Sequence, residues 1–250
     1  MKKAFITTAA GMATRFSASL PAPVPKCIYT DNKPENTLLY RLVSLAEDFD
    51  RIVIVTGFME DNIKEYAEKY LPKEILDKTV FVSNEQYAQY GSGWSLYLGL
   101  KALENSDEKY DDIIFAEGDL YFSREDFEKI CISRNDVITV NNEPIEAKKA
   151  VALYFDTDSR PHYIYDTHHG TLEINEPFTG IYNSAQIWKF RDADKIFRIM
   201  NEMGEKAHQG TNLVLINHYY RDCENIEIIR MNTWVNCNTT EDFKKLDFNY

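Results

Sequence analysis

Two rhythms of apolar residues alternate along the first half of the chain. Short β-branched runs read as buried strands at 4–8, 51–56 (Arg-Ile-Val-Ile-Val-Thr, closed by Gly57), 79–82 and 112–116. Between them the apolar positions return at helical spacing. Leu38, Leu39, Leu42, Leu45 and Ala46 share one face of 38–47, and Ile63, Tyr66, Ala67 and Tyr70 share one face of 61–70. A further helix is predicted over 93–104, opened by Ser92 as its N-cap. Strands and helices alternating in this way predict a mainly parallel sheet with helices on both faces.

After residue 135 the pattern loosens. Residues 136–140 and 150–155 read as strands, and 160–165 with 171–174 as a hairpin or flap around Thr167-His168-His169-Gly170. A strand remnant at 180–183 precedes helices over 184–203 and 212–222, a strand at 227–231, the segment 234–238 and a last short helix at 240–246. No repeat, low-complexity stretch or linker interrupts the chain. The expectation is an α/β fold, Rossmann-like with three αβα layers, a mixed but mainly parallel sheet and a less regular C-terminal lobe. One domain over 1–250 is expected, divided into halves 1–135 and 136–250.

Composition narrows the partners. The length of 250 residues suits one large α/β domain, and 44% hydrophobic residues suffice for a sizeable core. Acids outnumber bases, 40 to 28, for a formal net charge of −12. Such a chain is a poor partner for nucleic acid or a membrane surface, so an anionic ligand needs a local basic site. Cys27, Cys131, Cys223 and Cys237 are scattered without a C-x-x-C pair, as in reduced thiols of a cytoplasmic protein. The N-terminus lacks the pattern of a signal peptide, and no apolar run reaches the length of a membrane span.

Against that acidic background the first strand and its sequel stand out. Residues 4–8 run into Ala9-Ala10-Gly11-Met12-Ala13-Thr14, then Arg15, with Pro25-Lys26 shortly after. Small residues after a strand let backbone N–H groups converge on phosphate oxygens. Arg15 adds a planar fork of donors and Lys26 a point charge. The bland alternative is close packing of a helix on the sheet. Neither the dinucleotide G-x-G-x-x-G pattern nor the P-loop pattern is met.

Further polar elements fall at strand ends, where open α/β sheets hold ligands. In Tyr87-Ala-Gln-Tyr-Gly91-Ser92-Gly93-Trp94, with Ser95 after it, glycines and serine at a helix start offer backbone groups to a flat base edge, or simply cap the helix. Glu117-Gly118-Asp119 puts an acid where it enters the crevice; Asp119 suits magnesium, which takes its remaining oxygens from phosphates and water. Glu117 is either its outer partner or a solvated acid. Tyr182, Trp188 and Trp234 are candidates for a cage around a choline head, with core packing as the alternative. Arg160 with His162, His168 and His169 suggests instead an acceptor with a carboxylate or extra phosphate. The histidine spacing matches no common zinc pattern.

Together these pieces resemble the nucleotidyltransferases of the nucleotide-diphospho-sugar transferase fold. That family carries A-A-G-x-G-T/S-R, then P-K, and an Asp after a central strand. Ala9–Arg15, Pro25-Lys26 and Asp119 match, with Ala13 in place of the second glycine. The turn survives Ala13 unstrained only if its φ is negative. Trp234-Val235-Asn236-Cys237-Asn238-Thr239-Thr240-Glu241-Asp242 is similar to the W-x-E-x-D-T-x-E-D ending of the choline-phosphate cytidylyltransferase branch. The Tyr87–Leu96 stretch also looks more like that branch. Asn236 and Asn238 stand where the branch has acids.

The resemblance implies transfer of CMP from CTP to a small phosphorylated or phosphonate metabolite such as phosphocholine, with magnesium. It casts 1–135 as the nucleotide-binding half and 136–250 as the acceptor-binding half. Arg15 and Lys26 would be catalytic and Asp119 and Asn238 would hold the metal. Ala9, Ala10, Gly11, Met12, Ala13, Thr14, Tyr87, Gly91, Ser92, Gly93 and Ser95 would bind the nucleotide. Arg160, His168, His169, Tyr182, Trp188 and Trp234 would form the acceptor site. Two alternatives stay open: a sugar-1-phosphate nucleotidyltransferase of the same fold, and a non-catalytic nucleotide-binding regulatory homologue.

Overall fold

The structure is a computed structural model that describes residues 1–106, 108–168 and 170–248. The first half carries β1 (Lys3–Ala9), α1 (Thr14–Ser17), α2 (Leu38–Leu45), β2 (Arg51–Thr56), α3 (Glu60–Tyr70), α4 (Lys73–Leu76), β3 (Thr79–Ser83), α5 (Ser92–Glu104), β4 (Asp112–Glu117), β5 (Leu120–Phe122) and α6 (Arg124–Ile132). The second carries β6 (Asp136–Asn141), β7 (Ala152–Asp156), β8 (Pro161–Ile164), β9 (Phe178–Phe190), α7 (Ala193–Met203), α8 (Asn212–Tyr220), β10 (Ile226–Arg230), β11 (Trp234–Asn236) and α9 (Thr240–Phe243). Short 3-10 turns lie at Lys26–Ile28 and Gly204–Gln209.

The main sheet runs β10-β6-β9-β4-β1-β2-β3, with β7 and β8 continuing from β9. Parallel pairing joins β1 to β2 and β4, β2 to β3, and β6 to β10; β9 runs antiparallel between β4 and β6. The sheet therefore draws on both halves of the chain.

Alternation along the strands builds the three expected layers. Phe5, Ile52 and Ile54 face a core shared with Leu42 of α2, Ile63 of α3 and Phe127 of α6. Their neighbours Ala4, Ile6, Val53 and Val55 face the other side, against Leu96 and Leu100 of α5 and Ile216 of α8. Each fully buried Leu, Ile or Phe contributes roughly 1.5–3 kcal/mol relative to exposure. Thr37 opens α2 by accepting from the Tyr40 N–H at 3.1 Å.

The second half departs from expectation. The residues read as a strand remnant at 180–183 and the start of a helix at 184–203 form one long strand, β9; the helix occupies only Ala193–Met203. The physical reason is burial on both sides. β9 is sandwiched between β4 and β6, so its apolar residues do not alternate, and periodicity cannot separate such a strand from a buried helix. Lys189, wholly buried on β9, pairs with Asp112 at 3.0 Å and donates to the Ser133 carbonyl at 2.7 Å. Residues 171–174 form no strand. There Asp166 holds the turn instead, accepting from the N–H groups of His168, Gly170 and Thr171.

Among the described residues no helix is long and apolar enough to cross a membrane.

Candidate active site

β1 lies between β2 and β4, and the chain turns back past it between β3 and β4, so a crevice opens beyond the carboxyl ends of β1 and β4. A cavity of about 320 Å³ fills that crevice. Thr8–Gly11 line it from β1, and Glu117, Gly118 and Asp119 from β4. Gly118 is required here: a Cβ would sit 2.3 Å from the Thr8 carbonyl, which accepts the Gly118 N–H at 3.1 Å. No described residue accepts from the N–H groups of Gly11, Met12 or Ala13.

Lys26, on the 3-10 turn after Pro25, donates to Asp119 Oδ2 at 2.6 Å. The other carboxylate oxygen, Oδ1, is buried without a partner among the described residues. Arg15 Nη2 donates to Asn238 Oδ1 at 2.9 Å, and Asn238 Nδ2 donates to Asn236 Oδ1 at 2.7 Å. Asp119 and Asn238 are brought together by a second small sheet. There β11 pairs antiparallel with β5, Asn236 opposite Leu120, and the Cys237 N–H donates to the Asp119 carbonyl at 2.8 Å. Asn238 does not cap the last helix: Thr239 and Asp242 do so as a reciprocal capping box.

Glu117 closes the inner wall, accepting from Asn212 Nδ2 at 2.6 Å. Burial, reinforced by the Asp119 charge, pushes its carboxyl up to about 7, against the Asn212 hydrogen bond. Cys27, also in the wall, is pushed up to about 12 by burial and is no nucleophile at neutral pH. An unpartnered carboxylate oxygen at Asp119 and an amide oxygen at Asn238, on two residues that line the same cavity, are hard-oxygen donors of the kind that fit magnesium. Among the described residues no group of three or more His, Cys, Asp or Glu side chains converges as a metal site.

The loop before α5 lines the cavity through Tyr87, Gly91, Ser92 and Ser95, but it is built differently from expectation. The Gly91 and Gly93 N–H groups are spent on the carbonyls of His208 and Gly210 at 3.0 and 3.1 Å, so neither is free for a base. A Cβ at either glycine would collide with that segment, at 2.2 Å from Gly210 O or 2.6 Å from Ala207 O. Ser92 is the first helical residue, with Gly91 at the N-cap, and its hydroxyl accepts the Asn212 N–H at 3.2 Å. Gly93 lies behind the wall. Met12, Ala13 and Thr14 also lie outside the cavity lining. Ala13 has φ +52, the left-handed conformation in which alanine is strained.

The expected acceptor residues do not gather at the cavity. Trp188 is core, stacked on Phe115 at 5.4 Å. Trp234 ties its indole N–H to the Ala185 carbonyl at 2.8 Å, and Tyr182 packs edge-on against Phe155. Arg160 pairs with Asp158 at the β7–β8 turn, and His168 is an exposed residue of the Asp166 turn. These side chains are drawn to the sheet core or to solvent, away from the strand ends. His169 lies outside the described residues. In their place stand Tyr165, Gln186, Asn212 and Lys149. The one sequence signal for these was a glutamine inside the apolar run Ala185-Gln186-Ile187-Trp188.

This architecture is a fold shared with solved nucleotidyltransferases. The inositol-1-phosphate CTP transferase from T. maritima superposes with a TM-score of 0.66 at 15% identity, covering 99% of this chain and 92% of that one. The CTP:phosphocholine cytidylyltransferase from Streptococcus pneumoniae gives 0.60 at 16%, covering 98% and 97%. A nucleoside-diphosphate-sugar pyrophosphorylase from Vibrio cholerae RC9 gives 0.67 at 13%, covering 96% and 98%. Identities this low establish a shared fold, and the scores do not single out the phosphocholine branch. No curated protein matches the sequence. The family model described as a domain of unknown function (DUF6564) matches residues 22–249, and the chain belongs to that family.

Proposed function

We propose that this protein is a nucleotidyltransferase that moves a nucleoside monophosphate, CMP in our reading, from its triphosphate to the phosphate of a small acceptor. The observation that carries the reading is the meeting of Lys26 with Asp119 and of Arg15 with Asn238 around one cavity at the ends of β1 and β4. Cations that hold phosphates and hard oxygens that hold a divalent ion belong together in phosphoryl chemistry, which depends on positioning and charge stabilisation.

An acceptor phosphate oxygen forms the new bond to the α-phosphorus, and the bond from that phosphorus to the β-phosphate bridging oxygen breaks, releasing pyrophosphate. A phosphate monoester is largely ionised at neutral pH, its second pKa being about 6, so no protein base is required. The N–H group of Gly11 and the Arg15 guanidinium would hold the triphosphate, and Lys26 the reacting phosphates. Asp119 and Asn238 would hold magnesium, which supplies charge neutralisation on the triphosphate when bound.

A second reading, transfer to a sugar 1-phosphate, is favoured by one observation: Trp188, Tyr182 and Trp234 form no cage at the cavity. The regulatory reading keeps its support in Ala13, Asn236 and Asn238. Pyrophosphate release from CTP and magnesium, measured over a panel of phosphorylated acceptors, separates the three. Release with phosphocholine supports CMP transfer to that class, release only with sugar phosphates the second reading, and CTP binding without release the third. Calorimetric titration with the four triphosphates tests the base, and tighter binding of a purine nucleotide refutes CTP.

A further inference from the structure

Gln186 interrupts β9 at the cavity. Ile138 of β6 pairs with Trp188 and Val140 with Ser184, so Ala185, Gln186 and Ile187 together oppose Thr139 as a bulge. Within it Gln186 adopts φ +60, where any side chain is disfavoured and glycine is the natural occupant.

The bulge is buttressed by buried side chains. Thr139 Oγ1 donates to the Ile187 carbonyl at 2.8 Å and accepts the Ile187 N–H at 3.1 Å. Asn141 Nδ2 donates to the Ser184 carbonyl at 2.8 Å, and Ser184 Oγ accepts the Gln186 N–H at 3.1 Å. Each of these four backbone groups thus has a partner. The Gln186 carboxamide has none among the described residues, although the residue is only 4% exposed and lines the cavity. Its amide atoms open to the cavity instead of being sealed in protein, and its left-handed backbone is unfavourable. Glycine would relieve that strain, so a glutamine here is explained by a ligand.

Its place defines the ligand's chemistry. Ile187 pairs with Ala116, which sets Gln186 one step further, level with Glu117 and its partner Asn212. A carboxamide both donates and accepts, as a hydroxyl group does. A quaternary ammonium offers neither, and an anionic group would meet Glu117. We propose that Gln186 selects the acceptor, hydrogen-bonding a hydroxyl group of a polyhydroxylated phosphate on the part of the molecule away from the transferred group. The inference rests on the transfer reaction proposed above.

The test is calorimetric binding of glucose 1-phosphate, ribitol 5-phosphate and phosphocholine to the wild type and to Gln186→Gly, with melting temperatures. The expected result is that a hydroxylated probe binds the wild type more tightly than phosphocholine does. It should lose roughly five- to tenfold in affinity in Gln186→Gly, the size of one neutral hydrogen bond. Phosphocholine affinity should not change, and the variant should melt no lower than the wild type. Unchanged affinity for the hydroxylated probes, failure of both to bind the wild type, or preference for phosphocholine overturns the proposal. Pyrophosphate release by the wild type is scored separately: Gln186-dependent binding without release refutes the reaction and leaves the hydroxyl contact standing.

Discussion

Lys26 Nζ lies 2.6 Å from Asp119 Oδ2, joining residues 93 positions apart. The pair ties the loop after β1 to the end of β4 across the mouth of the cavity. It engages one carboxylate oxygen and leaves the other, Oδ1, without a partner among the described residues. Asp119 would thus keep Oδ1 for a divalent cation, which would supply charge neutralisation, while Lys26 stays on Oδ2.

Lys26→Ala should therefore lower kcat by roughly 10²–10³, the effect of removing one preorganised donor from a charged transition state. The far-ultraviolet circular dichroism should be unchanged, because Lys26 belongs to no apolar stripe. Arg15→Lys should also lose most activity, since a point charge cannot reproduce the planar fork. Steady-state kinetics at saturating substrate decide both, and near wild-type turnover would remove these residues from the chemistry.

Asn238→Asp should be tolerated and should lower the magnesium concentration needed for half-maximal rate. It keeps an oxygen acceptor for Arg15 and adds a negative charge beside the metal position. Its contact with Asn236 survives if that amide turns its NH2 inward. Asn238→Ala should raise the magnesium requirement. A changed melting temperature with an unchanged magnesium dependence would make Asn238 purely structural.

Ala13→Gly should stabilise the fold. The left-handed conformation costs alanine roughly 1–2 kcal/mol, while the unfolded-state entropy of glycine returns about 0.4–1 kcal/mol of that. A net gain of about 1 kcal/mol corresponds to roughly 2–4 °C in melting temperature for a chain of this size. A fall in melting temperature would show that the turn is unstrained.

The Asp166 turn should come apart only in strong acid. Three backbone N–H bonds hold the Asp166 carboxyl down at about 2, below its ordinary value of 3.8. The stabilisation is complete above pH 3.8 and is lost as pH falls through about 2, because the unfolded chain takes up its proton first. NMR titration should give matching midpoints near 2 for the carboxyl and for the amides of His168, Gly170 and Thr171. A midpoint near 3.8 would contradict the bonding.

The strands of the first half were legible because central parallel strands are continuous β-branched runs; β2 occupies the residues read for it. Ser123, whose hydroxyl accepts the Asp126 N–H at 3.2 Å, signals the start of α6 in a stretch the periodicity left unread. β9 was hidden because it is held from afar, the Lys189 ammonium by Asp112 and the Ser184 carbonyl by Asn141. Arg15, Lys26 and Asp119 could be placed near one another because each follows a strand end or turn readable locally. Gln186 could not: its direction depends on a bulge held by Thr139 and Asn141, and nothing in its own neighbourhood encodes that.

The most direct test of nucleotidyl transfer is phosphorus NMR of the wild type with CTP, magnesium and a panel of phosphorylated acceptors. The account predicts that with one acceptor the three CTP signals give way to equal amounts of pyrophosphate and a diphosphate diester, and that Asp119→Ala yields neither. Persistence of CTP with every acceptor, or its conversion to free CMP alone, would contradict the account.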